Sequence, residues 1–183
     1  MGYPRMIKGE KVTLRAIEPS DIHMLWEWTQ DEETMRLRNY PAPPVSLAEA
    51  EREYQESLSE GSSHHLRLAI TTDSGKLIGE IALNHIDQRT GTADFTIAIG
   101  DKAYRGQGYG TDATRTLVRY AFEQLNLHRI TLYVHAFNGR AVKTYEKCGF
   151  KHEGCLRQAQ YMDGRYSDVL VMGLLREDFE AEG

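Results

Sequence analysis

The chain has 183 residues, the size of one ordinary domain, and with 40% hydrophobic and 27% charged residues its composition is globular rather than collagenous or disordered. A formal charge of −5 excludes the basic footprint of a nucleic-acid binder, and no apolar run reaches the roughly 18 residues that a membrane span needs. The opening MGYPRMIKGEK lacks the apolar core of a signal peptide, and Met6 stands where a myristoylation motif wants Ser or Thr, so a cytoplasmic location is expected, with no membrane partner.

Along the chain, Val12, Leu14 and Ala16 alternate as the buried face of a first strand. Ser20 and Asp21 are helix-capping types ahead of Ile22, Leu25 and Trp26, and Ser46 with Glu49 makes a capping box for a second helix that stops near Gly61. Pro41-Ala42-Pro43-Pro44 between them reads as a stiff surface connection. Leu66, Leu68 and Ile70 alternate, Asp73-Ser74-Gly75 turns, residues 77–86 are β-rich, Thr90-Gly91 turns, and Phe95, Ile97 and Ile99 alternate again, which makes an antiparallel meander. Ala113, Leu117, Val118, Ala121, Phe122 and Leu125 form one stripe of a helix over 109–126, followed by a strand through Ile130, Leu132 and Val134. A short helix over 141–148 ends at Gly149, and Asp163-Gly164 turns between two final strands. The fold class expected is a single mixed α/β domain over 8–176 with terminal segments 1–7 and 177–183.

Cys148 and Cys155 read as two buried thiols rather than a disulfide or half a zinc site, and the seven histidines contain no HExxH, so no metal is expected. Residues 1–60 carry 12 acids against 7 bases, whereas 101–151 carry nine bases against four acids. Such a distribution suits an anionic ligand in one part and a cationic one in another, or else two solvated helices with paired charges.

The most informative stretch is Tyr104-Arg105-Gly106-Gln107-Gly108-Tyr109-Gly110-Thr111, between the strand ending at Gly100 and the helix from Tyr109. Glycines let backbone N–H groups approach a ligand, and a helix N-terminus adds unpaired donors, so strand, loop and helix together suit a pyrophosphate. A P-loop would need Lys after Gly110. A Rossmann turn would need Gly at Thr111 and an acid where His135-Ala136-Phe137 stands. What fits is R/Q-x-x-G-x-G/A, in Arg105, Gly108 and Gly110. It is followed one strand later by N-x-x-A/S-x-x-x-Y-x-x-x-G-F, in Asn138, Ala141, Tyr145, Gly149 and Phe150. Together these resemble the GNAT superfamily of N-acetyltransferases, in particular the spermidine and ribosomal-protein alanine acetyltransferases.

The resemblance implies a sheet splayed between its fourth and fifth strands to admit acetyl-CoA. Main-chain groups of Ile97, Ala98 and Ile99 would pair with pantetheine, the loop Arg105, Gly106, Gln107, Gly108, Tyr109 and Gly110 would hold the pyrophosphate, and Asn138 and Ala141 would contact the CoA arm. The other role of Asn138 is a helix cap. Tyr145 matches the family's acid, which protonates the departing thiolate, and its other reading is a core tyrosine. Lys143 and Arg140 nearby would hold its pKa near or below that of a free phenol. Asp94 stands where several members carry a glutamate base, and Glu80 is the second candidate. Trp26, Glu32, Glu33, Tyr40, Tyr161 and Tyr166 come from the parts that surround the acceptor, a primary amine of a polyamine, a protein N-terminus or a small molecule, with cationic amines favoured. A homodimer is expected because dimers are the commonest oligomers. The competing class is a CoA-binding module without turnover.

Overall fold

The computed structural model describes residues 6–38, 44–59 and 64–181. Eight strands form one sheet: β1 (Met6–Lys8), β2 (Val12–Ala16), β3 (Leu66–Thr72), β4 (Leu77–Asp87), β5 (Thr92–Ile99), β6 (Arg129–His135), β7 (Lys151–Met162) and β8 (Arg165–Leu175). Their order is β1-β2-β3-β4-β5-β6-β8-β7, and every neighbouring pair is antiparallel except β5 with β6. The helices are α1 (Ile22–Thr29), α2 (Glu32–Arg36), α3 (Leu47–Ser59), α4 (Tyr109–Glu123), α5 (Gly139–Glu146) and α6 (Arg176–Ala181). This is the expected α/β fold, with three elements that sequence patterning did not give: β1, α2 and α6.

The pleat of the sheet divides the molecule. Leu68 and Ile70 on β3 point into the larger core, where Leu117, Val118 and Ala121 of α4 meet Leu14, Leu83, Phe95, Ile130 and Leu132. Ala69, between them, points the other way, into a smaller cluster with Ile22 and Leu25 of α1 and Tyr54 of α3. Cross-strand register then puts Arg67, Glu80, Ala82, Asp94, Thr96 and Ala98 on the α1–α3 face, because Ala69 pairs with Glu80, Arg67 with Ala82, Glu80 with Ala98 and Asn84 with Asp94. Each fully buried aliphatic side chain in the larger core contributes about 1.5–3 kcal/mol.

Element ends follow local chemistry. Ser46 Oγ accepts from Glu49 N at 3.2 Å, half of the expected capping box. α4 stops at Glu123 because Asn126 adopts φ 54° and Leu127 N reaches back to Ala121 O at 3.0 Å. The missed α2 is set by Asp31, whose carboxylate accepts from Thr34 N at 2.9 Å. The Pro41-Ala42-Pro43 part of the expected connection, Tyr40 and Gly61 lie outside the described residues. Both cysteines are free thiols, but only Cys148 is buried; Cys155 is exposed on β7, where no helix covers the strand.

Candidate functional site

β5 and β6 are paired only from Thr92–Arg129 to Phe95–Leu132. Beyond that point β5 stays with β4 as far as Ile99, and β6 stays with β8 as far as His135, so the sheet opens as a V toward the strands' C-terminal ends. A cavity of about 880 Å³ occupies the opening. Phe95 to Ile99 form one wall, Tyr133 and Val134 the other, α5 covers one end, and Gly106, Gly108 and Gly110 lie at the start of α4.

The glycine loop has the conformation its composition demands. Gly106 (φ 75°) and Gly108 (φ 88°) are left-handed, and Gly108 is the N-cap of α4, which no side chain caps. The first-turn acid Asp112 turns away from the cavity and accepts from the backbone N–H groups of Glu10, Lys11 and Val12 at 3.1, 2.8 and 3.0 Å. The 15-residue helix therefore presents its positive end to the loop with no carboxylate across it. Lys11, which the sequence reading missed, adds a cation, with Nζ donating to Gln107 O at 3.1 Å.

Several expected side-chain roles are placed differently. Arg105 lines the cavity but points its guanidinium inward, donating from Nε to Ile99 O (2.8 Å) and from Nη2 to Thr34 Oγ1 (2.8 Å) and Gly100 O (3.2 Å). Only 8% of its side chain is exposed. It closes the open end of β5 against α2. Gln107 donates to Ala103 O, and Tyr109 packs edge-on against Tyr104 at 5.1 Å, so both side chains border a neighbouring hollow instead. Asn138 lines the cavity and also caps α5, with Oδ1 accepting from Ala141 N at 3.2 Å.

Tyr145 reaches the cavity from α5 with its ring edge-on to Phe95 (6.1 Å) and Phe150 (5.9 Å), only 8% exposed. Burial pushes its phenol well above the ordinary value, and the neighbouring Cys148 adds to the shift. The expectation of a pKa near or below a free phenol is therefore corrected: desolvation dominates, and Lys143 and Arg140 do not offset it.

Asp94 lies on the paired part of β5, opposite Thr131, with Oδ2 3.0 Å from His85 Nδ1; it is not among the residues that line the cavity. Glu80 is. Its carboxylate accepts from Arg38 Nη2 at 2.6 Å and Arg67 Nε at 2.7 Å. Burial works to raise its pKa, but Arg67 and then Arg38 outweigh it and hold the group ionised below the ordinary carboxylate range. Arg38 and Arg67 were missed because they meet Glu80 only through the fold.

The residues expected around the acceptor are engaged elsewhere. Trp26 Nε1 donates to Val45 O at 2.8 Å, Glu33 pairs with Lys102 at 3.1 Å, and the rings of Tyr161 and Tyr166 meet tilted at 4.9 Å on the exposed terminal hairpin. Together with Glu32 they are absent from the described cavity lining. Among the described residues no three His, Cys, Asp or Glu side chains are grouped to hold a metal ion, and no helix is long and apolar enough to cross a membrane.

The family description "Acetyltransferase (GNAT) domain" matches residues 11–151 of this chain. The chain belongs to the GNAT acetyltransferase family. It is thus an acyltransferase by membership, and the relatives agree. Spermidine N(1)-acetyltransferase of Vibrio cholerae is 30% identical over 93% of this chain and 96% of its own. A crystal structure of spermidine N-acetyltransferase from Vibrio cholerae in complex with CoA and spermine has TM-score 0.84 and 30% identity, covering 92% of this chain and 98% of that one. A structure of the enzyme from the same organism, described as dodecameric, has TM-score 0.81 and 30% identity, covering 94% and 98%. The fold is thus common ground between this chain and those enzymes.

Proposed function

We propose that this GNAT chain moves an acetyl group from acetyl-CoA to a primary amine by direct attack in a ternary complex. The observation that carries the reading is that the strand gap, an uncapped helix N-terminus behind left-handed glycines, and a largely buried tyrosine all meet in one cavity. Acetyl-CoA supplies an activated acyl carbon and a thiolate leaving group. The backbone of residues 106–110 and the start of α4 fit its pyrophosphate, with Arg140, Lys143 and Lys147 of the same lining as counter-charge. The backbone of Ile97, Ala98 and Ile99 has no strand beside it on the β6 side and fits the pantetheine arm, apart from Ile99 O, which Arg105 holds.

Tyr145 acts as the acid. A phenol whose pKa is raised stays protonated throughout the physiological range, and although burial weakens it as an acid, a thiolate developing in the same desolvated gap is made more basic by the same cause and can take its proton. Direct attack fits the lining as well. Among the described residues that border the cavity there is no Cys, His or Ser to serve as a covalent relay, and Cys148 and Cys155 both lie elsewhere. The carboxylate facing the acceptor is Glu80, too acidic to take a proton from an ammonium strongly. It serves to hold Arg38 and Arg67, and the amine reaches the acyl carbon already neutral or through water. An α-amine, with pKa near 7.8, costs only about 1.1 kcal/mol to neutralise at pH 7.

The functional unit is taken as residues 8–176, acting in the cytoplasm as a self-associating protein. The dimer is the commonest assembly size, while the Vibrio cholerae neighbour is described as dodecameric. Light scattering distinguishes the two, and a monomer would remove the assembly from the reading. The activity itself is tested by thiol release from acetyl-CoA against a panel of amines. Protection from heat by CoA with no thiol release from any amine would leave a binding module.

A further inference from the structure

The acceptor end of the cavity lies on the α1–α3 face of the sheet, opposite the face against which α4 packs, and its charged wall is Arg38, Glu80 and Arg67. Both Glu80 oxygens are taken, one by each guanidinium, at 2.6 and 2.7 Å. Two cations around one carboxylate leave the wall with a formal charge of +1. Elsewhere in the described lining the charged side chains are Arg105, Arg140, Lys143 and Lys147, so Glu80 is the one acid among the described residues that border the cavity. None of the described acids of the first third lines the cavity. Asp21 pairs with Arg15, Asp31 with Lys102, and Glu33 with Lys102 and Arg105.

The wall also has unused donor capacity. Arg38 Nε is buried and has no hydrogen-bond partner among the described residues, although buried polar groups are ordinarily satisfied. Arg38 and Arg67 both line the cavity, with 32% and 51% of their side chains exposed, while Glu80, at 14%, fixes their position. A pre-positioned pair of planar forks with spare N–H groups matches a carboxylate or phosphate. A second ammonium on the acceptor would meet a wall of its own sign.

We propose that the amine acetylated by this protein also carries an anionic group, a carboxylate or a phosphate, which seats against Arg38 and Arg67. The inference rests on the acetyl-transfer reading and narrows its acceptor away from polyamines. It reverses the expectation, drawn from the acidic first third, that cationic amines are favoured.

The test is the efficiency of thiol release with three amines of equal length, γ-aminobutyrate, its amide and putrescine, and with phosphoethanolamine beside ethanolamine. At least one anionic amine exceeds its neutral counterpart by about tenfold, the size of one charge-assisted hydrogen bond, and putrescine is the poorest of its set. The member with the larger advantage identifies carboxylate or phosphate as the source. The advantage shrinks as salt is added, and Arg38→Gln and Arg67→Gln each bring the ratio toward one through KM, while Arg67→Lys keeps part of it. Thermal protection by acetyl-CoA reports whether each variant folds, and the wild-type series and its salt dependence need no variant. Putrescine used as well as either anionic amine overturns the proposal and leaves the transferase reading intact. So does a ratio that both glutamine variants preserve. If no amine is acetylated but calorimetry detects γ-aminobutyrate or phosphoethanolamine binding that Arg38→Gln abolishes, the transferase reading falls and the anion site stands. Neither turnover nor binding overturns both.

Discussion

Replacing Tyr145 with Phe removes one oxygen from a side chain that is 8% exposed, wedged between Phe95 and Phe150, and whose hydroxyl nothing among the described residues hydrogen-bonds. The ring is largely buried, but its hydroxyl is not among the enclosed, unpartnered polar atoms and meets the cavity, so Tyr145→Phe is expected to be about as stable as the wild type. Turnover should nevertheless fall about a hundredfold or more, roughly 2.7 kcal/mol in activation free energy, which is the ordinary worth of a positioned acid. Activity therefore falls while stability holds, which a packing role cannot produce. The pH dependence sharpens the point. Because the folded pKa lies above the unfolded value near 10, Tyr145 imposes no loss of rate up to about pH 10. Its contribution to stability is fully present below that value and is lost as pH rises toward the folded pKa, so the variant resists alkaline unfolding better. The assay is thiol release at saturating acetyl-CoA, with melting curves for both proteins from neutral to alkaline pH. Asp94→Asn is the control, expected to alter neither limb of the rate profile since Asp94 is outside the cavity lining. Normal turnover in Tyr145→Phe would reduce the tyrosine to packing and make solvent the proton source.

Other consequences are directly measurable. Gly108→Val forces a branched side chain into φ 88°, strain of about 1–3 kcal/mol, and should abolish the roughly 2.7 kcal/mol of protection that CoA at a hundred times its Kd gives the wild type. A folded variant with undiminished protection would move the pyrophosphate away from this loop. Arg105→Ala leaves Ile99 O and Gly100 O without their donor and should lower stability by about 3 kcal/mol in urea. A loss confined to CoA affinity would make Arg105 a phosphate clamp after all. The contribution of Glu80 is present above its unfolded pKa near 4.5 and is lost as pH falls through the lowered folded value, so the wild type should destabilise more steeply than Glu80→Gln on acidification below that pH. Parallel acid profiles would contradict the ion-pair assignment.

The loop and the segment from Asn138 to Phe150 were legible because each is a contiguous run in which glycine, cap and aromatic positions are locally determined. Periodicity likewise gave the strands that carry the core. It did not give β1, three residues at the sheet's edge, or α2, five residues whose start depends on one Asx cap. The direction of Arg105 depends on carbonyls at the end of β5 that only the finished sheet exposes. Period-2 alternation assigned Asp94 to the correct face but not to a height along the strand, and the strands part only after Phe95. The Arg38–Glu80–Arg67 wall joins residues 42 and 13 positions apart from three separate segments, so nothing local marks it. Charge totals do not say where charge sits: Asp21, Asp31 and Glu33 are paired with bases, and the described cavity lining holds one acid among six bases.

The central claim, acetyl transfer by direct attack in the gap between β5 and β6, is tested most directly by initial rates of thiol release with acetyl-CoA and an accepted amine varied together. Transfer within a ternary complex predicts double-reciprocal lines that intersect, with no thiol released before amine is added. Parallel lines, or a burst of free thiol equal to the protein present in the absence of amine, would place an acetylated side chain on the path and contradict the account.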